Sequence, residues 1–311
     1  MSAIVIPYIP ISPGLKILIS LIRKLKERRR IKSKKEFIEE KELEIVVINF
    51  SGRPLSKQAV NEIKKWGKCK ILNKPSYVAD LTNPVTYMEN IINLGSKTFK
   101  ELIKKDKIFN NLLLGRYIII PPGLTSITMV FTTMLHGITG HFPNTAFFYK
   151  KEMIHGLTKP FDFQALRNKY LSIENSSTGV EKEFVLINLS GRVLTQEAKK
   201  EIISWGKCDI IEKIPNVDLT DPDTYMENII DFCDKIVKEL MEDPQITQNL
   251  LVGKYVIIPP GMTSIAIAFI AILHGITGHF PIMSFSYKED GTFRIIKPFD
   301  FHDLRVLFQN I

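Results

Sequence analysis

An α/β protein made of two tandem Rossmann-like domains, each a small parallel sheet with helices on both faces, is predicted by three features of this 311-residue sequence. The first is a duplication: "EIVVINFSGRPLSKQAVNEIKKWGKC" from Glu44 matches "EFVLINLSGRVLTQEAKKEIISWGKC" from Glu183, and the likeness runs on to "KPFDFQALR" and "KPFDFHDLR". The second is alternation, in each copy, of β-branched runs with apolar residues at helical spacing. The third is the shortness of the connections, which implies parallel strands joined by right-handed crossovers. A period of nearly half the chain means duplicated whole domains, not a solenoid. The divisions are a basic segment over 1–42, a first repeat over 43–172, a linker over 173–182 and a second repeat over 183–311. Polar residues with Ser, Thr and Gly in "IENSSTGVEKE" mark the linker as a flexible connector.

In the first copy, Glu44 to Phe50 reads as a strand, Leu55 to Trp66 as a helix and Cys69 to Leu72 as a short strand. Asn83 and Pro84 start a helix reaching about Lys105, and Arg116 to Ile120 is a third strand. Leu124 to His136 is a helix ended by Gly137, and Thr145 to Tyr149 is a fourth strand. For a small sheet wired this way the expected strand order is 2-1-3-4. The third helix of the second copy, "SIAIAFIAILHGI" from Ser264, is apolar nearly all round, so one side is expected on its sheet and the other on the twin domain.

The formal net charge is +9, but the segment Met1 to Lys41 carries eleven Lys/Arg against four Asp/Glu, so +7 of it lies there. The folded body is close to neutral, and nothing points to duplex nucleic acid as a partner. Ser12 and Pro13 look like the N-cap and first position of a helix in which Leu15, Leu18, Ile19, Ile22 and Leu25 recur at helical spacing among lysines and arginines. This N-terminal amphipathic basic helix either packs on its own protein or, through residues 12–30, lies on a membrane surface. Pro7, Pro10, Pro13 and Lys16 argue against a spanning helix. Three cysteines without metal spacing fit a reducing compartment, so the expected location is cytoplasmic, with peripheral membrane attachment open. No metal or cofactor is expected.

Ligands of such sheets sit beyond the carboxyl ends of the strands, where strand order reverses. Here that means the loops after strands 1 and 3. The first holds Asn49, Ser51, Gly52 and Arg53, matched by Asn188, Ser190, Gly191 and Arg192. The second holds Pro122, Gly123, Thr125 and Ser126, matched by Pro260, Gly261, Thr263 and Ser264. Prolines fix the chain as it leaves the strand, the glycine permits a close or left-handed turn, and the helix start suits a phosphate. The arginine offers a planar fork to a phosphodiester. The same residues also make an ordinary structural turn. No Walker lysine and no G-x-G-x-x-G occurs. His136, His141, His274 and His279 fall at the opposite end of the sheet and read as structural, while His155 and His302, unmatched in the other copy, read as surface residues. Tyr149, Lys150, Tyr287 and Lys288 either rim the crevice or are solvated edge residues.

The stretches "INFSGRPL", "IPPGLTS" and "LHGITGHFP", with "INLSGRVL", "IPPGMTS" and "LHGITGHFP", resemble the Csx-fifteen family of CRISPR-associated proteins, accessory to type III systems. The resemblance covers both repeats but not the N-terminal forty residues. It implies CARF-like domains that bind a cyclic oligoadenylate, with cyclic tetra-adenylate the first candidate, and that either cleave it as metal-independent ring nucleases or sequester it. It names no catalytic residue. Family members are single domains expected to self-associate; this chain fuses two, which leaves the need for a second chain open. Three readings therefore stand: ring nuclease, non-catalytic sink or sensor, and a scaffold or membrane-associated protein working through its basic helix.

Overall fold

A computed structural model of the protein describes residues 13–32, 44–74, 80–151, 154–171, 184–289 and 291–309. Helix α1 spans Pro13–Lys32. The first repeat follows as β1 (Ile45–Asn49), α2 (Lys57–Lys65), β2 (Cys69–Asn73), α3 (Tyr87–Ile103), α4 (Asp106–Leu113), β3 (Tyr117–Ile120) and α5 (Thr125–Thr139). It closes with β4 (Asn144–Thr145), β5 (Phe148–Lys151), β6 (Ile154–Leu157), β7 (Phe161–Asp162) and α6 (Phe163–Lys169). The second repeat has the same order: β8 (Phe184–Asn188), α7 (Gln196–Trp205), β9 (Cys208–Glu212), α8 (Tyr225–Met241), α9 (Pro244–Leu251), β10 (Tyr255–Ile258) and α10 (Thr263–Thr277). It ends in β11 (Ile282–Met283), β12 (Ser286–Glu289), β13 (Thr292–Ile295), β14 (Phe299–Asp300) and α11 (Phe301–Gln309).

Both sheets have the predicted order, β2-β1-β3-β4 and β9-β8-β10-β11, with all these strands parallel. Each gains an antiparallel edge strand, β7 or β14. The fold is thus two tandem Rossmann-like units. Their inner helices share one hydrophobic core that includes Phe99, Phe131, Phe269 and Phe308. The outer face of each sheet has its own small cluster, around Ala59 and Ile63 under α2 and around Ala198 and Ile202 under α7.

Several boundaries differ from those read off the sequence. The helix predicted from Asn83 starts at Tyr87, because the Asn83 side chain accepts a hydrogen bond from the Val85 amide (2.9 Å) and holds a turn. It stops at Ile103, and α4 is a separate helix. The helix predicted to end at Gly137 runs to Thr139 and is ended by Gly140, at φ 84°. The fourth strand is only two residues long. Past it the chain leaves the sheet, since Thr158 donates its amide to the Phe147 carbonyl (2.9 Å) and its hydroxyl accepts from the Phe147 amide (3.0 Å). That exchange starts the β5–β6 hairpin, and β12–β13 repeats it in the second copy.

Gly137 has another use. A Cβ there would lie 2.6 Å from the Arg305 carbonyl oxygen and 2.6 Å from the Phe308 Cβ, so the glycine lets α11 of the second repeat press onto α5 of the first. Gly275 does the same for α6 against α10, where a Cβ would meet the Arg167 carbonyl oxygen at 2.5 Å. The two repeats exchange their last helices.

Helix α1 packs on α3 through Leu15, Leu18 and Ile22, all fully buried. Each such side chain contributes roughly 1.5–3 kcal/mol. Lys16, Arg23 and Lys24 remain exposed. The apolar stripe that a membrane surface would need is therefore spent on the protein itself. Ser12, the predicted cap, and the linker lie outside the described residues. No helix among the described residues is long and apolar enough to cross a membrane.

Candidate functional site

The loops after β1 and β3 leave the sheet side by side, because those strands are paired from Val46↔Tyr117 to Asn49↔Ile120. In the first loop a single buried side chain sets the shape. Asn49 Oδ1 accepts from the Ser51 amide (3.0 Å) and the Ser51 hydroxyl (2.6 Å), while its Nδ2 donates to the Arg53 carbonyl (2.7 Å) and to Asn73 Oδ1 (3.0 Å). Asn188 repeats this with Ser190 (3.0 and 2.7 Å) and the Arg192 carbonyl (2.8 Å). Both amides are thus committed to the turn. Gly52 and Gly191 take the left-handed conformation, φ 72° and 75°, that the turn requires. The loop's result is to hold Arg53 and Arg192 exposed at the strand ends.

Gly123 and Gly261 are not left-handed, and nothing lies within 4 Å of a Cβ built on either. What they leave is open space for a close approach to the backbone. Pro122, Pro260, Thr125, Ser126, Thr263 and Ser264 are buried, so their side chains are not at the surface where a ligand was expected to meet them. The Thr125 hydroxyl, between the carbonyls of Pro260 and Gly261 (3.1 Å to each), joins the turn of one repeat to the turn of the other. Ser126 and Ser264 exchange hydrogen bonds with the Tyr87 hydroxyl (2.8 Å) and the Tyr225 hydroxyl (2.9 Å). Those tyrosines in turn stack across the repeats, Tyr87 on Phe285 (6.4 Å) and Tyr225 on Phe147 (6.3 Å). No side chain caps the start of α5 or α10. Their first helical bonds are Thr128 N–H to the Leu124 carbonyl (3.1 Å) and Ala266 N–H to the Met262 carbonyl (3.2 Å), so the amides before them have no carbonyl partner within the helix.

Leu124 and Met262, at those helix starts, are 42% and 43% exposed and offer apolar surface beside the turns. Reading loops for polar groups passes over them; an apolar residue held at an N-cap position in both copies was the signal. Tyr87 and Tyr225 were legible too, as the Tyr of "TYMENII" in each copy. Tyr149, Lys150, Tyr287 and Lys288 sit on the hairpins, and the Tyr149 ring lies over Gly156, where a Cβ would come within 2.5 Å of its hydroxyl-bearing carbon.

The histidines lie at the far ends of α5 and α10. His136 and His274 are buried with ring centroids 5.0 Å apart, at steep angles (73–89°) to Phe142 and Phe280. Such angles let a ring N–H meet an aromatic face. Arg167 donates to His274 Nδ1 (2.7 Å) and Arg305 to His136 Nδ1 (3.3 Å), each reaching across from the other repeat. His141 donates from Nδ1 to the Thr139 carbonyl (3.0 Å) at the helix end. His302, predicted on the surface, is half-buried with its ring 5.9 Å from His279; the side chain of His155 is outside the described residues. No group of three or more potential metal ligands occurs among the described residues.

Burial, then the Arg305 and Arg167 charges and the neighbouring His141, push His136 down to about 3. Burial, then His136, Arg167, Arg305 and His302, push His274 down to about 2. In the unfolded chain both return to 6.5. Their contribution to stability is complete above pH 6.5 and is lost progressively as pH falls toward 3, because only the unfolded state takes up the protons. Each adds a slope of about 1.4 kcal/mol per pH unit in that window. Chemical denaturation between pH 7 and pH 5 will show this steep loss in the parent protein and a flatter profile in His136→Gln with His274→Gln. Parallel profiles would mean that the pair does not couple folding to protons.

The molecule is thus a tandem Rossmann-like protein whose two strand-3 turns touch through the Thr125 hydroxyl. No protein-family model matches the chain, and no curated protein matches it. Among solved structures, the Cap4 SAVED/CARF-domain receptor of Acinetobacter baumannii with the cyclic trinucleotide 3'3'3'-cAAA is similar at 11% identity and TM-score 0.34, covering 90% of this chain and 55% of that one. The same receptor with 2'3'3'-cAAA gives 11% identity and 0.37 over the same shares. The Moraxella osloensis Cap4 receptor gives 12% and 0.32, over 92% of this chain and 60% of that one. This chain therefore spans little more than half the length of those receptors. Likenesses at TM-scores this low carry no weight for its ligand.

Proposed function

We propose that the protein is a CARF-like receptor for a small cyclic oligonucleotide, cyclic tetra-adenylate being the first ring to test. The observation that supports this most is the joining of the two Pro-Pro-Gly turns through Thr125, which brings the equivalent strand-3 loops of both repeats together, with Arg53 and Arg192 exposed on the neighbouring strand-1 loops. A cyclic oligoadenylate has matching repeated phosphates. In this reading Ser51, Gly52 and Arg53 with Ser190, Gly191 and Arg192 flank the ring, Gly123 and Gly261 admit it, and the uncapped helix starts face its phosphates. Asn49, Asn188, Pro122, Pro260, Thr125, Ser126, Thr263 and Ser264 shape the site from below. Because one chain supplies both halves, the site needs no second copy.

The finer reading is a metal-independent ring nuclease in a type III CRISPR setting. A ribose 2′-oxygen attacks the adjacent phosphorus, the bond to the 5′-oxygen breaks, and the proton passes to that leaving oxygen, giving a 2′,3′-cyclic phosphate end. Held arginines and helix-start amides favour the charge on the phosphoryl oxygens. Among the described residues of these loops no side chain presents itself as a general base. Incubation with cyclic oligoadenylates of several sizes at ligand excess, followed by chromatography, decides between the readings. Stoichiometric retention of intact ring makes the protein a receptor or sink, many linear products per protein make it a nuclease, and failure to bind any ring ends the proposal.

A further inference from the structure

The two half-sites share a backbone turn but differ in sequence beside it. In the second, the Arg192 guanidinium carbon stands 3.8 Å from the centre of the Phe293 ring. Phe293 is on β13, and its strand is pinned in place. The Thr195 hydroxyl, which caps α7 by accepting from the Ala198 amide (3.1 Å), also donates to the Phe293 carbonyl (3.0 Å). Arg294 pairs with Glu289 across the same hairpin (2.8 Å). The turn under Arg192 is fixed by Asn188 and Ser190. In the first repeat an equivalent turn holds Arg53, but His155 occupies the position of Phe293 and Gly156 that of Arg294. Among the described residues the Arg53 guanidinium has no ring or ion-pair partner.

We infer that the half-sites are not equivalent: Phe293 is a positioning residue that holds Arg192 ready, so the second half-site grips one nucleotide of the ligand more tightly than the first. This rests on the receptor reading given above. A guanidinium laid on an aromatic face has given up most of its rotamer freedom before the ligand arrives, so less is lost on binding. Its other face is open to solvent, since Arg192 is exposed. That face accepts a stacked adenine, while its edge donates to the adjoining phosphodiester.

Calorimetry with cyclic tetra-adenylate on the full chain tests this. Phe293→Leu is expected to weaken binding roughly 3- to 30-fold, and Phe293→Tyr to stay within about two-fold of the parent, as a cation–ring contact requires. Arg192→Ala is expected to cost several-fold more than Arg53→Ala. Equal costs for the two arginines, or a silent Phe293→Leu, overturn the inference. A ligand-free readout separates it from the receptor reading: in ¹⁵N-arginine-labelled protein the Arg192 Nε–H signal should be sharp and slow to exchange, and should average in Phe293→Leu. If no ring binds but this signal behaves so, the receptor reading falls and the positioning of Arg192 stands. If the signal is as averaged as that of Arg53, the positioning falls.

Discussion

Replacing Arg53 and Arg192 together with alanine is expected to weaken cyclic tetra-adenylate binding by at least two orders of magnitude. Hydrogen bonds to a charged group contribute about 1.5–3 kcal/mol each, and two phosphodiester grips therefore account for roughly 3–6 kcal/mol, a factor of about 10² to 10⁴. The fold should scarcely notice. Both side chains are exposed, and the turns beneath them are held by Asn49, Ser51, Asn188 and Ser190, which the substitutions leave in place. Circular dichroism and melting temperature act as controls, and titration calorimetry gives the answer. Unchanged affinity in a folded double variant would remove these arginines from the site.

The second large effect concerns stability. Gly275→Ala puts a methyl group 2.5 Å from the Arg167 carbonyl oxygen and 2.8 Å from the Tyr170 Cβ, and backbone cannot move aside as a flexible side-chain end would. Overpacking of this kind costs about 1–3 kcal/mol. Withdrawal of α6 would also disturb the Arg167–His274 bond and the Tyr170–Asp234 bond (2.5 Å). A methyl group at Gly123 meets nothing within 4 Å, so Gly123→Ala should leave the melting temperature within a degree or so while Gly275→Ala lowers it by several degrees. Equal melting temperatures for these two variants would show that the helix exchange is loose.

Strand order was readable because β-branched runs such as Val46–Ile48 and Ile118–Ile120 are long enough to declare themselves and because a crossover has one favoured hand. The two-residue strands β4 and β7 were not, since no period shows in two residues. Gly137 was read as a helix stop, a role glycine often has; its packing against the backbone of α11 depends on a helix 168 residues further on, which no local pattern reports. The two candidate loops were picked out by Pro, Gly and Ser at the strand ends, but the burial of their residues was not legible. Thr125 and Ser126 have the composition of a phosphate-binding turn and yet lie buried, one against the opposite repeat and one under Tyr87. Phe293 escaped notice because its match in the first copy is His155, so comparing the copies hid a residue in which they differ.

The reciprocal seating of α6 on α10 and of α11 on α5 has a consequence for how such a molecule is put together. A protein of one repeat would have to find a second copy to obtain the missing helix, and its assembly would rise and fall with its abundance. Tethering the two on one chain replaces that encounter with a local one, so the composite stays whole at dilutions where separate units would come apart. The tether also frees each unit to mutate alone, and the contrast between Phe293 and His155 is what such freedom leaves behind.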